Sequence, residues 1–265
     1  MAAEEYDTLK FDVRDGVAHV TLNRPEAANS LNLEMAQELL RAMLDCDEDP
    51  AIRAVLIAGA GRMFCVGGDL KSFAQQEEQL PLYLKEVTTY LHAAVSRMAR
   101  MDLPVVAAVH GVAAGAGFSL ACACDLVVAA ESARFTMAYT NAGLTPDGSS
   151  TYYLPRLVGF KRTMELVLTN RELSAREAME WGIVTRVVPD EDLSENAAAL
   201  ATQLAGGATK ALGASKRLLH AGWTETLETQ MEHETRTIAE MARTADAREG
   251  IAAFVEKRLA AFTGE

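Results

Sequence analysis

The stretch Pro104 to Asp125, PVVAAVHGVAAGAGFSLACACD, constrains this chain more than any other. Val105 to Val109 is a continuous apolar run that reads as a fully buried strand. His110-Gly111 breaks it, and Ala113 to Gly117 carries almost no side chain. Phe118 to Cys124 then has helical composition. A strand feeding a Gly/Ala turn into a helix start leaves backbone N–H groups without intrahelical partners, in a place where the helix dipole favours negative charge. Such a turn can hold a phosphate or an oxyanion. It can equally be close helix–strand packing that demands small residues, and the stretch alone leaves both readings open.

The pattern occurs twice. Ala54 to Ala58 is a second buried strand, followed by Gly59-Ala60-Gly61 and by Phe64-Cys65-Val66-Gly67-Gly68-Asp69-Leu70 leading into a helix. Strand, small-residue turn and helix therefore recur at 54–73 and 105–124, a weak internal repeat of roughly fifty residues. Two such turns facing one cavity supply the two N–H donors that an oxyanion hole requires.

The remaining pattern surrounds these turns. Thr8–Val13 and Val17–Asn23 read as a hairpin around Arg14-Asp15-Gly16, since Asp-Gly supplies a tight turn. Leu31 to Leu44 has helical spacing with Asn32 as N-cap, and Leu80 to Met101 reads as a long helix. Val127–Ala129 is a short strand, 135–144 reads as irregular, and Thr145 to Ser150 as a turn into a helix. Beyond Leu157 the chain reads as helices at 161–169, 175–181, 193–204, 210–221, 224–243 and 246–262, interrupted by a strand at Val184–Val188. This predicts an α/β core over 1–190 and a helical part over 191–265.

Charge and composition narrow the partners. A net charge of −12 over 265 residues argues against a nucleic-acid surface. No apolar run reaches the ~20 residues that span a bilayer. The opening MAAEEYDTLK has neither the basic nor the apolar part of a secretory leader. Cys46, Cys65, Cys122 and Cys124 lack zinc or disulfide spacing and read as buried thiols in a reducing cytoplasm. With no metal-spaced ligand cluster and no dinucleotide fingerprint, neither a metal nor a redox cofactor is expected.

Asn23-Arg24-Pro25, FCVGGDL at 64–70, HGVAAGAGFSLACACDLVVA at 110–129, LSAREAMEWGIVTRVV at 173–188 and REGIAAFVEKR at 248–258 follow one another in the order of a known family. Together they resemble the crotonase (enoyl-CoA hydratase/isomerase) superfamily. The resemblance implies an α/β spiral of ββα units and a helical C-terminal trimerisation region, in a homotrimer or a dimer of trimers. It implies a coenzyme A thioester as substrate, with an oxyanion hole formed by the N–H of Gly68 and of Ala116. It also implies CoA contacts from the backbone of Ala27, Ala28 and Val66, with charge from Arg24. Phe254 and Lys257 match positions that reach a neighbouring subunit's CoA.

The reaction is a separate question, because the superfamily places different groups around a common hole. Hydratases of this kind carry two glutamates, and the matching positions here are Ser119 and Tyr139, which disfavours simple hydration. Ser119 reads as a helix residue back-bonding to a carbonyl, and Tyr139 as a wall of the acyl pocket. Asp147, in Pro-Asp-Gly, has the composition of a turn residue or helix cap. The same loop resembles that of the double-bond and ring isomerases, where one carboxylate moves a proton along the acyl chain. His92 with Asp147 also resembles the 4-chlorobenzoyl-CoA dehalogenase branch, with Asp147 as nucleophile and His92 as base, although a lone helical histidine is more often packed or solvated. The resemblance, with these departures from it, therefore implies an enoyl-CoA isomerase using Asp147, with a dehalogenase-like hydrolase, a hydratase and a non-catalytic acyl-CoA-binding partner as alternatives.

Overall fold

A computed structural model describes residues 6–265; residues 1–5 of the segment read above for a leader lie outside the described residues. Asp15 and Gly16 have φ of 52° and 74°, the left-handed backbone that a two-residue hairpin needs. They fold β1 (Leu9–Arg14) antiparallel onto β2 (Val17–Leu22). Beyond β2 the sheet continues in parallel through β3 (Ala54–Gly59), β4 (Val105–Val109), β6 (Leu126–Ala130) and β9 (Arg186–Val188). Parallel strands covered on both faces need unbroken apolar runs, which is why β3 and β4 read as they do.

A smaller sheet stands beside the large one. β5 (Val112–Ala114) pairs in parallel with β7 (Arg134–Thr136), and β7 pairs antiparallel with β8 (Leu173–Ser174). Cys65 extends this sheet by a bridge to Ala113, so Cys65, Ala113, Phe135 and Leu173 form one rung, all of them buried. The chain thus winds as a spiral, each turn laying one segment in each sheet before a helix.

The helices complete the turns. Asn32 caps α1 (Leu33–Glu48) by accepting from the Met35 N–H at 3.0 Å. The first spiral turn ends in α2 (Leu70–Ala74), and α3 (Leu80–Arg100) packs on α1. The second turn ends in α4 (Ala116–Ala123), and the third in a 3-10 turn (Tyr139–Ala142) and α5 (Ser150–Val158). The repeat read from the sequence is this winding, with Ile57 beside Ala107 and Cys65 beside Ala113. Further along lie α6 (Phe160–Thr169), α7 (Ala175–Glu180) and α8 (Leu193–Ala205), the last lying across β3 and β4. The chain ends with α9 (Thr209–Ala221), α10 (Leu227–Met241) and α11 (Ala245–Glu256).

Two expectations are corrected. The segment 135–144 holds the end of β7 and the 3-10 turn, because Phe135 takes its place in the buried rung. The last helix stops at Glu256 instead of Phe262. Lys257 turns left-handed (φ 56°), and the Asp246 carboxylate accepts from the N–H groups of Thr263 and Gly264 at 2.7 and 2.8 Å, drawing the tail back across α11. Among the described residues no helix is long and apolar enough to cross a membrane.

Lys216 fastens α9 to the core. Its ammonium donates to the Met98 and Leu103 carbonyls at 2.7 Å each and to Asp125 at 2.9 Å, and Asp125 also accepts from the Val105 N–H. Replacing it removes the partner of a largely buried carboxylate and two carbonyls. Lys216→Met is expected to cost about 3 kcal/mol, read as a lowered urea midpoint at fixed protein concentration. A change below about 0.5 kcal/mol, the size of an ordinary surface substitution, would contradict this role.

Candidate active site

The site begins where the first two spiral turns touch. Phe64 and Cys65 donate their N–H groups to the His110 and Val112 carbonyls at 3.1 and 3.2 Å, and Ala114 donates back to Cys65 at 2.9 Å. This pairing carries the chain directly into Gly67 on one turn and Gly115 on the other, with φ of 102° and 50°. A Cβ on Gly67 would lie 3.1 Å from the Ala114 carbonyl oxygen and 3.4 Å from the Gly115 Cα. The left-handed backbone favours glycine here, and the contact leaves little room for a side chain.

The residues that follow these glycines, Gly68 and Ala116, have N–H groups with no partner among the described residues. Ala116 is the first residue of α4, where an unpaired N–H is inherent to the helix. Both residues line a cavity of about 290 Å³ whose walls include Leu31, Phe73, Leu84, Val87 and Leu91. The two turns picked out in the sequence thus line one cavity, each with a residue whose N–H has no partner among the described residues.

Asp147 is the one carboxylate among the residues lining that cavity. Its side chain does not cap the following helix, whose N-cap, Ser149, makes no side-chain cap bond. The Asp147 carbonyl instead accepts from the Ser150 N–H and hydroxyl at 3.1 and 2.9 Å, which frees the carboxylate for the cavity. Burial pushes the Asp147 carboxyl above its usual range, while the Tyr139 hydroxyl and the nearby His92 partly offset the shift.

Tyr139 has a larger role than a wall. Its ring lines the cavity, its hydroxyl donates to an Asp147 carboxylate oxygen, and it lies 3.0 Å from the Ser119 Oγ. Burial, followed by the neighbouring Asp147 charge, drives the Tyr139 phenol far up, so it remains a neutral hydrogen-bonding group. Ser119 is buried, and its hydroxyl lies 3.1 Å from the Gly115 carbonyl, the back-bond expected for it. The Tyr139–Asp147 bond was not readable in advance, because it joins residues on two sides of the third spiral turn.

His92 stands outside this cavity. It is exposed, and its Nε2 accepts from the buried Gly148 N–H at 3.2 Å. It faces a separate cavity of about 850 Å³ that also contains Arg100, Arg217 and His220, with Asp147 at the boundary between the two. The four cysteines are buried and unpaired; burial lifts the thiols of Cys46, Cys65 and Cys122 to about 12, which leaves them inert near neutrality.

The residues implied in CoA contact lie at the cavity's outer edge and beyond. Ala27 ends a 3-10 turn, Ala28 is left-handed (φ 51°), and its carbonyl accepts from the Val66 N–H at 3.3 Å. The Arg24 guanidinium is half-buried and bound to the Ser30 carbonyl at 2.6 Å and to Asp69 at 2.8 Å. Its charge is therefore paired here, and it ties the Ala27–Ala28 loop to α2. Asp69 caps α2 through the Lys71 and Ser72 N–H groups. Burial works against its charge, but Arg24 and those N–H bonds hold its carboxyl below the ordinary range. An acid before the first apolar residue of a helix was the available signal for this cap. Phe254 is 86% exposed, Lys257 is exposed, and neither lines the cavity of its own chain.

Comparison with known proteins gives one answer over the whole chain. The profile of the family described as Enoyl-CoA hydratase/isomerase matches residues 12–265. A 1,2-epoxyphenylacetyl-CoA isomerase of Escherichia coli is 42% identical over 96% of this chain and 97% of its own. A 4-chlorobenzoyl coenzyme A dehalogenase of an Arthrobacter species is 35% identical over 90% of this chain and 87% of its own. The crystal structure of an enoyl-CoA hydratase from a Polaromonas species superimposes with a TM-score of 0.92 at 34% identity, over 96% of this chain and 99% of that one. The chain belongs to the enoyl-CoA hydratase/isomerase family and has its crotonase fold.

Proposed function

We propose that the protein is an acyl-CoA isomerase, shifting a double bond or opening a ring, in which Asp147 moves a proton between carbons of the acyl chain. The observation that carries this reading is the pairing of one cavity carboxylate with two unpartnered N–H groups, those of Gly68 and Ala116. Hydrogen-bond donors aimed at a thioester oxygen stabilise the enolate formed when a neighbouring carbon loses its proton. Asp147 takes that proton as a base and returns it elsewhere as an acid. A carboxyl lifted by burial is a stronger base than a solvated one and still returns the proton as an acid.

The similarity to the 1,2-epoxyphenylacetyl-CoA isomerase supports this class. Hydration on the two-carboxylate pattern is disfavoured, because Ser119 and Tyr139 occupy the glutamate positions and offer no second acid or base. Dehalogenase-like hydrolysis is disfavoured by His92, whose ring lies outside the acyl cavity, and by a lining with few aromatic residues. In this reading the backbone of Ala27, Ala28 and Val66 holds the CoA, with Arg24 keeping their loop in place. Phe254, exposed on α11, and Lys257, exposed just beyond its end, reach the CoA of a neighbouring copy in a homotrimer or dimer of trimers. Residues 1–190 then carry the site and 191–265 the assembly contacts, and the enzyme works in the cytoplasm without a metal or redox cofactor.

Asp147→Asn is expected to reduce turnover by about 10³-fold or more on whichever of a panel of straight-chain 3-enoyl, 2-enoyl, aryl and halobenzoyl thioesters the wild type converts. Acyl-CoA binding, measured calorimetrically, is expected to stay within about threefold, roughly 0.6 kcal/mol. Undiminished turnover in the variant, or ordinary hydration of crotonyl-CoA by the wild type, contradicts the reading.

The base form of Asp147 is the ionised one, and burial favours the neutral one. kcat/KM therefore rises with pH through a midpoint above the usual carboxylate range. Tyr139→Phe removes a donor to the ionised carboxylate, so that midpoint moves further up. A midpoint that stays put or falls in Tyr139→Phe would show that the hydroxyl does not hold the carboxylate.

A further inference from the structure

The hydroxyls beside Asp147 end at a significant atom. Asp147, Tyr139 and Ser119 are linked in series, and Ser119 lies against the carbonyl oxygen of Gly115. That carbonyl belongs to the same peptide group as the Ala116 N–H, one of the two cavity donors. The Gly115 oxygen also accepts the Ser119 N–H at 2.9 Å, leaving its second lone pair for the Ser119 hydroxyl.

Each hydroxyl has one proton, so Ser119 donates either to Tyr139 or to the Gly115 carbonyl, and not to both at once. With Asp147 ionised, Tyr139 donates to the carboxylate and Ser119 donates to Tyr139, which leaves the Gly115 carbonyl with its backbone bond alone. With Asp147 protonated, the acid donates to the Tyr139 oxygen, Tyr139 donates to Ser119, and Ser119 donates to the Gly115 carbonyl. We propose that this chain reverses direction when Asp147 gains a proton, so that Ser119 then polarises the Gly115–Ala116 peptide and strengthens the Ala116 N–H as an oxyanion donor. Ser119 and Tyr139 are positioning residues in this scheme, which rests on Asp147 being the acid/base.

The proton balance is simple. The substrate carbon loses one proton and Asp147 gains it; the carboxyl O–H turns toward Tyr139 while the two hydroxyls rotate, and it turns back before the proton returns to carbon. The acid is neutral while the enolate exists, so the added bond reaches the donor when negative charge is on the thioester oxygen. Cooperative polarisation along such a chain strengthens each bond by roughly 10–30%. The third spiral turn makes this geometry available: it brings Tyr139 over α4, and Gly148 sits so close that a Cβ there would lie 2.9 Å from the Ser119 Cβ. The other charged or titratable groups around Asp147 are His92, Lys85 and Arg100 from α3, Tyr152 and Tyr153 from α5, and Arg217 and His220 from α9 across the second cavity.

The test uses hexanoyl-CoA labelled at its carbonyl carbon, a saturated ligand that cannot isomerise, and reads the bound carbonyl stretch by infrared difference spectroscopy. With Asp147 ionised at alkaline pH, Ser119→Ala leaves the band where it is in the wild type. In the Asp147→Asn background, whose neutral amide donates to Tyr139, the same Ser119→Ala change moves the band to higher frequency. Tyr139→Phe, which breaks the chain in the middle, removes any effect of Asp147→Asn that depends on Ser119. In turnover, Ser119→Ala lowers kcat about tenfold with KM unchanged. Equal band shifts from Ser119→Ala in both backgrounds would assign Ser119 a merely structural role, and no shift in either would remove the coupling; each overturns the proposal. Because the ligand does not react, these outcomes are separate from loss or survival of turnover in Asp147→Asn, which judges the acid/base assignment itself.

Discussion

Everything in the site depends on two turns of the spiral being held in register. The Cys65–Ala113 bridge and its flanking backbone bonds let Gly67 pack on Gly115. Only then do Gly68 and Ala116 line the same cavity. Neither donor could be aimed by a side chain, since neither belongs to one. The sheet rung Cys65–Ala113–Phe135–Leu173 continues the alignment into the third turn, which presents Tyr139 to Asp147. In the proposed mechanism fold and chemistry are thus joined through backbone geometry, since the two proposed oxyanion donors are main-chain groups.

Asp147 depends on its surroundings. Water-excluding walls raise its affinity for a proton, and the Tyr139 hydroxyl limits that rise by donating to the charged form. A carboxylate in bulk water would be too weak a base for a carbon acid, and one buried without a donor would stay neutral. The half-buried position between the apolar cavity and the wider cavity with His92 gives an intermediate setting. Ser119 and Tyr139 form a polar path from that carboxylate to the Gly115 carbonyl.

Much of this was legible in the sequence wherever local chemistry decides structure. The Asp15-Gly16 hairpin, the Asn32 cap, the buried runs of β3 and β4 and the doubled glycine turns all declare themselves by residue type. Legibility fails where distant residues decide. Nothing near Phe262 indicates that Asp246 will capture the Thr263 and Gly264 N–H groups and end α11 early. Asp147 in Pro-Asp-Gly has the composition of a cap, and only the turn beyond β7 reveals that its carboxylate meets Tyr139. Arg24 reads as free positive charge until Asp69, forty-five residues away, is found against it.

The central claim, that one carboxylate shuttles a proton through an enolate, is tested most directly by hydrogen exchange in heavy water. An enoyl-CoA substrate incubated with enzyme in deuterium oxide is followed by proton NMR. The account predicts enzyme-dependent deuterium at the acyl carbons next to the thioester or along the shifted double bond, and its loss in Asp147→Asn. Exchange that persists in that variant, or a wild-type product formed mainly by addition of water across the double bond, would contradict it.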